Sequence, residues 1–71
     1  MQMRELLKGL NVYAVTDERG ITVNGEKAIL FRVHQRGYKT PHIFTFATAN
    51  KMSEEHMADV MRSYLRKNVT V

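Results

Sequence analysis

Arg32, His34, Arg36, Tyr38, Lys39 and His42 crowd cations, imidazoles and a phenol into one short stretch of the chain. Lys and Arg are the side chains that meet phosphates, while an aromatic ring or a guanidinium plane stacks on an exposed base. Alternate positions on a strand share a face, so Arg32 and His34 fall on one side, and Arg36, Tyr38 and Lys39 follow in the loop. Together they form a candidate nucleic-acid-binding hairpin. The ordinary alternative is a solvated strand face whose Lys and Arg discourage edge-to-edge pairing with other sheets.

Other chemistries find less material. His34, His42 and His56 lie in three different elements and lack the short helical spacing of zinc motifs, so they read as separate imidazoles, although one hairpin register would set His34 opposite His42. Glu54, Glu55, His56 and Asp59 surround the first turns of a helix, where capping and the helix dipole account for carboxylates without chemistry. Gly9, Gly20, Gly25 and Gly37 are scattered and build no phosphate loop, Cys is absent, and no Ser or Thr sits in a nucleophile elbow. The expectation is a non-enzymatic protein with no cofactor and no metal. Met57 and Met61 read as core filling, and Met52 stays open as a binding residue.

The elements that must position these residues come from one small domain spanning the 71 residues. With 44% hydrophobic and 25% charged residues the composition is that of a folding chain. So short a chain without cysteine must draw its stability from a compact core or from a second copy, which keeps a homodimer open. No apolar run approaches the ~18–20 residues that cross a bilayer, and Met1 to Leu10 carries Arg4, Glu5 and Lys8, unlike a signal peptide. The expected setting is the cytoplasm, away from membranes. A net charge of +4 attracts polyanions, and is also of the size that keeps a small domain in solution.

Met3, Leu6, Leu7 and Leu10 recur at helical spacing and predict a short helix over about residues 2 to 9. Val12 to Val15 is open between a strand and a helical extension. Residues 16 to 20 read as a polar turn, and Ile21 to Val23 as strand. Asn24-Gly25 is the sharpest local signal, because both residues tolerate the positive φ of a type I′ hairpin turn. A strand from about Lys27 to Gln35 then sets Ile29, Phe31 and Val33 on one face and Leu30, Arg32 and His34 on the other. Arg36 to Thr40 form a basic loop, Pro41 suits the start of a strand, and His42 to Thr48 supply the next one. Ser53 is a favoured N-cap, and Glu54 and Glu55 follow at the positive end of the dipole. Met57, Val60, Met61, Tyr64 and Leu65 make the apolar stripe, with Arg62, Arg66 and Lys67 towards the C-terminal end. Val69, Thr70 and Val71 are β-prone and either add a strand or fray.

The fold expected is therefore α+β, a two-layer sandwich in which an antiparallel three- or four-stranded β-meander is flanked by an N-terminal and a C-terminal helix. Its predicted core is Leu6, Leu7, Ile29, Phe31, Val33, Met57, Val60, Met61, Tyr64 and Leu65. This order resembles that of the double-stranded RNA-binding fold and of the small RNA-cleaving toxins of the HicA type. It departs from the first at Ser53, Glu54 and Glu55, where that family places cations on phosphates and only Lys51 is basic here, and from the second by lacking a Gly-Ser-His run. The functional expectation is a nucleic-acid-associated protein in which Arg32, Arg36 and Lys39 meet phosphates, His34 lies beside them and Tyr38 packs on sugar or base. The alternative is a small regulator or protein-interaction module that docks on a larger partner through its free sheet face.

Overall fold

The structure, a computed structural model, describes residues 2–69. Helix α1 (Met3–Leu6) leads into strand β1 (Val12–Val23), then β2 (Glu26–Gln35), β3 (His42–Ala47) and helix α2 (Glu54–Leu65), with 3-10 turns at Thr48–Asn50 and Arg66–Asn68. The strands form one antiparallel sheet in the order β1-β2-β3, with β2 central. Both helices cover the same face, giving an α+β sandwich. No helix among the described residues is long and apolar enough to cross a membrane.

Helix α1 is one turn, shorter than the apolar spacing predicts. Gly9 (φ +87) and Asn11 (φ 60) both take left-handed backbone, which ends the helix and turns the chain into β1. Val12 to Val15 are strand. The polar stretch predicted as a turn at 16 to 20 instead runs straight through the middle of β1. An edge strand tolerates this composition because one of its sides faces solvent, and residues 16 to 20 are all exposed. The turn-prone glycine survives as a β-bulge: Arg19 pairs with Ile29 and Ile21 with Ala28, leaving Gly20 (φ +74) as the extra residue. The Asn24-Gly25 hairpin forms as expected, with φ values of 51 and 83 and Val23 paired to Glu26.

Period-two alternation along β2 sends Phe31, Val33 and Gln35 under the helices, where they are buried, and leaves Leu30, Arg32 and His34 half-buried on the other face. Across the sheet Phe31 pairs with Phe44, Ile29 with Phe46 and Val33 with both Val15 and His42. Phe31 and Phe46 meet edge to face at 6.0 Å. Met3, Leu7, Leu10, Met57, Ala58, Met61 and Leu65 close the core from above.

Helix α2 begins as the sequence predicts, with Ser53 Oγ accepting the His56 backbone N–H at 3.1 Å and Glu54 and Glu55 in the first turn. Its buried sector differs from the expected stripe. Val60 and Tyr64, assigned to the core, are 44% and 51% exposed, whereas Ala58 is fully buried. At about 100° per residue, Met57, Ala58, Met61 and Leu65 fill one sector, with Tyr64 at its margin and Val60 farther round. Contact with α1 selects that sector, since Arg62 Nη1 donates to the Leu6 carbonyl at 2.7 Å. Leu6 and Ile29 are only partly buried and pack against the core from its rim. Val69 packs against the core after the last 3-10 turn, and the rest of the β-prone tail, Thr70 and Val71, lies outside the described residues.

Candidate nucleic-acid interface

One end of the sheet is organised by a single buried amide. Gln35, the last residue of β2, is 1% exposed. Its Nε2 donates to the Leu10 carbonyl at 2.9 Å and to the Leu65 carbonyl at 3.3 Å. Two carbonyl acceptors demand both N–H groups of the amide, which fixes its orientation and leaves Oε1 as an acceptor for His42 Nε2 at 3.0 Å. That ring nitrogen therefore carries a proton. The Arg36 backbone N–H adds a bond to the Asn11 carbonyl at 2.9 Å, and the Tyr38 N–H bonds back to the Gln35 carbonyl at 3.2 Å.

These bonds bring together three segments distant in sequence: the α1–β1 connection, the β2–β3 loop and the C-terminal end of α2. The β2–β3 loop carries Arg36 and Lys39, the end of α2 leads into Arg66 and Lys67, and the α1–β1 connection adds Lys8, one turn after Glu5; the carboxylates Asp17, Glu18, Glu26, Glu54, Glu55 and Asp59 lie outside these segments. Among the described residues none of these five cations enters an ion pair. The basic loop that the sequence singles out is thus tied to the end of α2, just before Arg66 and Lys67, which charge pattern alone presents as partners of the helix dipole.

Aromatic rings line the same end. Tyr38 lies 4.7 Å from His42, His42 lies 5.6 Å from Tyr64, and Tyr64 lies 5.3 Å from Phe44, all between ring centroids. His42 and Phe44 are alternate residues of edge strand β3 and project to its helix side, where Tyr64 at the margin of α2 reaches both. Tyr38 is 42% exposed, so neither tyrosine is packed away.

Arg32 and His34 are placed differently. Both lie on the open sheet face, where Arg32 Nη1 bonds Glu18 Oε1 at 2.6 Å and the His34 ring rests 5.6 Å from that of Tyr13. Arg32 is thus offset by a carboxylate, while Arg36, Tyr38 and Lys39 stand together in the loop. His34 and His42 are not opposite each other: His42 pairs with Val33, so the two imidazoles point to opposite faces. Exposed His56 is on α2, and no group of His, Asp or Glu with metal-binding geometry occurs among the described residues.

The mixed-charge end of the molecule is distinct. Arg19 bonds Glu54 at 2.8 Å and Asp17 at 2.9 Å, tying the bulge of β1 to the start of α2. The hydrogen bond that Arg19 donates to Glu54 raises the Arg19 pKa above its usual value, slight desolvation opposes this, and the bond to Asp17 adds to the rise. Arg62 pairs with Asp59 within α2. Exposed pairs of this kind contribute little to stability, but they offset the positive charge of Arg19, Arg32 and Arg62.

Comparison with models of protein families, with curated proteins and with solved structures returns no match to this chain.

Proposed function

We propose that this protein acts by binding nucleic acid, without catalysis, through the end of the sandwich organised by Gln35. Arg36, Lys39, Arg66 and Lys67 meet phosphates, and Tyr38 packs on a sugar or base. Arg32 and His34 flank this surface on the open sheet face and contribute less, Arg32 because Glu18 already holds it. The observation that carries the reading is the joining, through Gln35, of three segments that hold Lys8, Arg36, Lys39, Arg66 and Lys67, none of which is in an ion pair among the described residues. Such a surface focuses positive potential where a polyanion approaches.

The open sheet face favours a second reading. Ile43 is 52% exposed there, beside half-buried Leu30, which suits a docking site for a protein partner. Salt separates the two. Four phosphate contacts give a slope of log affinity on log salt between about −2.8 and −3.6, so raising salt from about 50 to 200 mM weakens binding roughly 50- to 150-fold. Fluorescence anisotropy with labelled oligonucleotides measures this directly. Absence of binding at the lower salt overturns the proposal and directs the search to proteins.

A further inference from the structure

We infer that the ligand of the basic end is single-stranded nucleic acid, with unpaired bases stacking on the row formed by Tyr38, His42 and Tyr64. This inference rests on the nucleic-acid reading and names the form of the substrate. A duplex offers phosphates and groove edges to a protein, and recognising it requires no exposed row of rings. Single strands are held by a different combination, cations that follow the backbone beside aromatic side chains on which bases lie. Both components are present at the same place. Tyr38 and Tyr64 keep 42% and 51% of their surface exposed, yet each is braced by His42, at 4.7 and 5.6 Å. His42 in turn is anchored through Nε2 to buried Gln35. The rings are therefore ordered before a ligand arrives, so little side-chain freedom is lost on stacking.

Cations flank the row in the chain. Lys39 follows Tyr38 directly, and Lys67 follows Tyr64 by three residues, about one helical turn, which sets it near the same face. The Tyr64 hydroxyl also gives a reason for its position: a tyrosine at the margin of a helix presents an apolar ring with a polar tip to a wet surface. Among the described residues β3 is an edge strand, with no further strand paired to it.

The test compares a labelled single-stranded oligonucleotide with a hairpin duplex of the same number of phosphates, using anisotropy with the full chain and with Tyr64→Ala, Tyr64→Phe and Tyr38→Ala. Circular dichroism verifies that each variant folds. The inference expects tighter binding of the single strand and a loss of about 5- to 160-fold for each alanine variant, the range for removing one stacked base. Tyr64→Phe should stay within about twofold, because the ring is retained. The salt slope of the alanine variants should match that of the parent, since their phosphate contacts remain. Equal or tighter binding of the duplex, with alanine variants unaffected, overturns this inference and leaves the basic-end proposal standing. Binding of neither form overturns both.

Discussion

Replacing Gln35 with leucine is the sharpest structural perturbation of the proposed site. The two side chains are close in size, so Gln35→Leu opens no large cavity and removes only hydrogen bonds. Three polar groups lose their partner: the Leu10 carbonyl, the Leu65 carbonyl and His42 Nε2. A buried donor or acceptor left unsatisfied costs about 1–3 kcal/mol, reduced wherever water reaches the group. His42 is half-buried and recovers part of its loss. A net destabilisation of about 2–4 kcal/mol follows, against a total of roughly 3–5 kcal/mol for a small domain without staples. At about 4–8 °C per kcal/mol for a domain of this size, Tm should fall by roughly 8–32 °C. Thermal unfolding followed by circular dichroism, supported by urea titration, measures the change. A Tm within about 4 °C of the parent would refute the assignment of Gln35 as the organiser of this end.

Two further substitutions test the packing. Val60→Lys should change stability by no more than about 0.5 kcal/mol, because Val60 is exposed, while Met61→Ala should cost about 2–5 kcal/mol in urea titration. Similar costs at both positions would mean that α2 is rotated from the orientation described. Lys51 takes left-handed backbone (φ 50, ψ 40) without the short polar side chain that eases it at Asn11 and Asn24. Lys51→Gly should therefore stabilise by about 0.5–1 kcal/mol, the relief of strain exceeding the entropy of the added glycine, and a fall in Tm would contradict this.

Where one local force dominated, the fold was legible in the sequence. Asn24-Gly25 could close a hairpin with few alternatives, Ser53 could cap α2, and alternation along β2 identified Phe31 and Val33 as buried. Tertiary context decided the rest. Residues 16 to 20 have the composition of a turn, yet neighbouring β2 pairs with them throughout and confines the irregularity to Gly20. Val60 and Tyr64 have helical spacing that fits a core stripe, but packing against α1 chose the sector containing Ala58. The loop cations were visible in the sequence, whereas the tie between that loop and the end of α2, which leads into Arg66 and Lys67, runs through Gln35, whose three partners lie far apart in the chain. Tyr64 offered one readable hint, a ring with a polar tip shortly before two cations.

The location of charge, rather than its amount, is the central claim, and paired charge reversals measure it. Arg36→Glu/Lys39→Glu and Lys27→Glu/Lys51→Glu change the net charge equally, the first at the Gln35 end and the second near the hairpin tip and before α2. Anisotropy with a single-stranded oligonucleotide at about 50 mM salt should show the first variant losing affinity at least about 100-fold, as two phosphate contacts become repulsions, while the second stays within severalfold of the parent. Equal losses in both variants, or none in the first, would contradict the account.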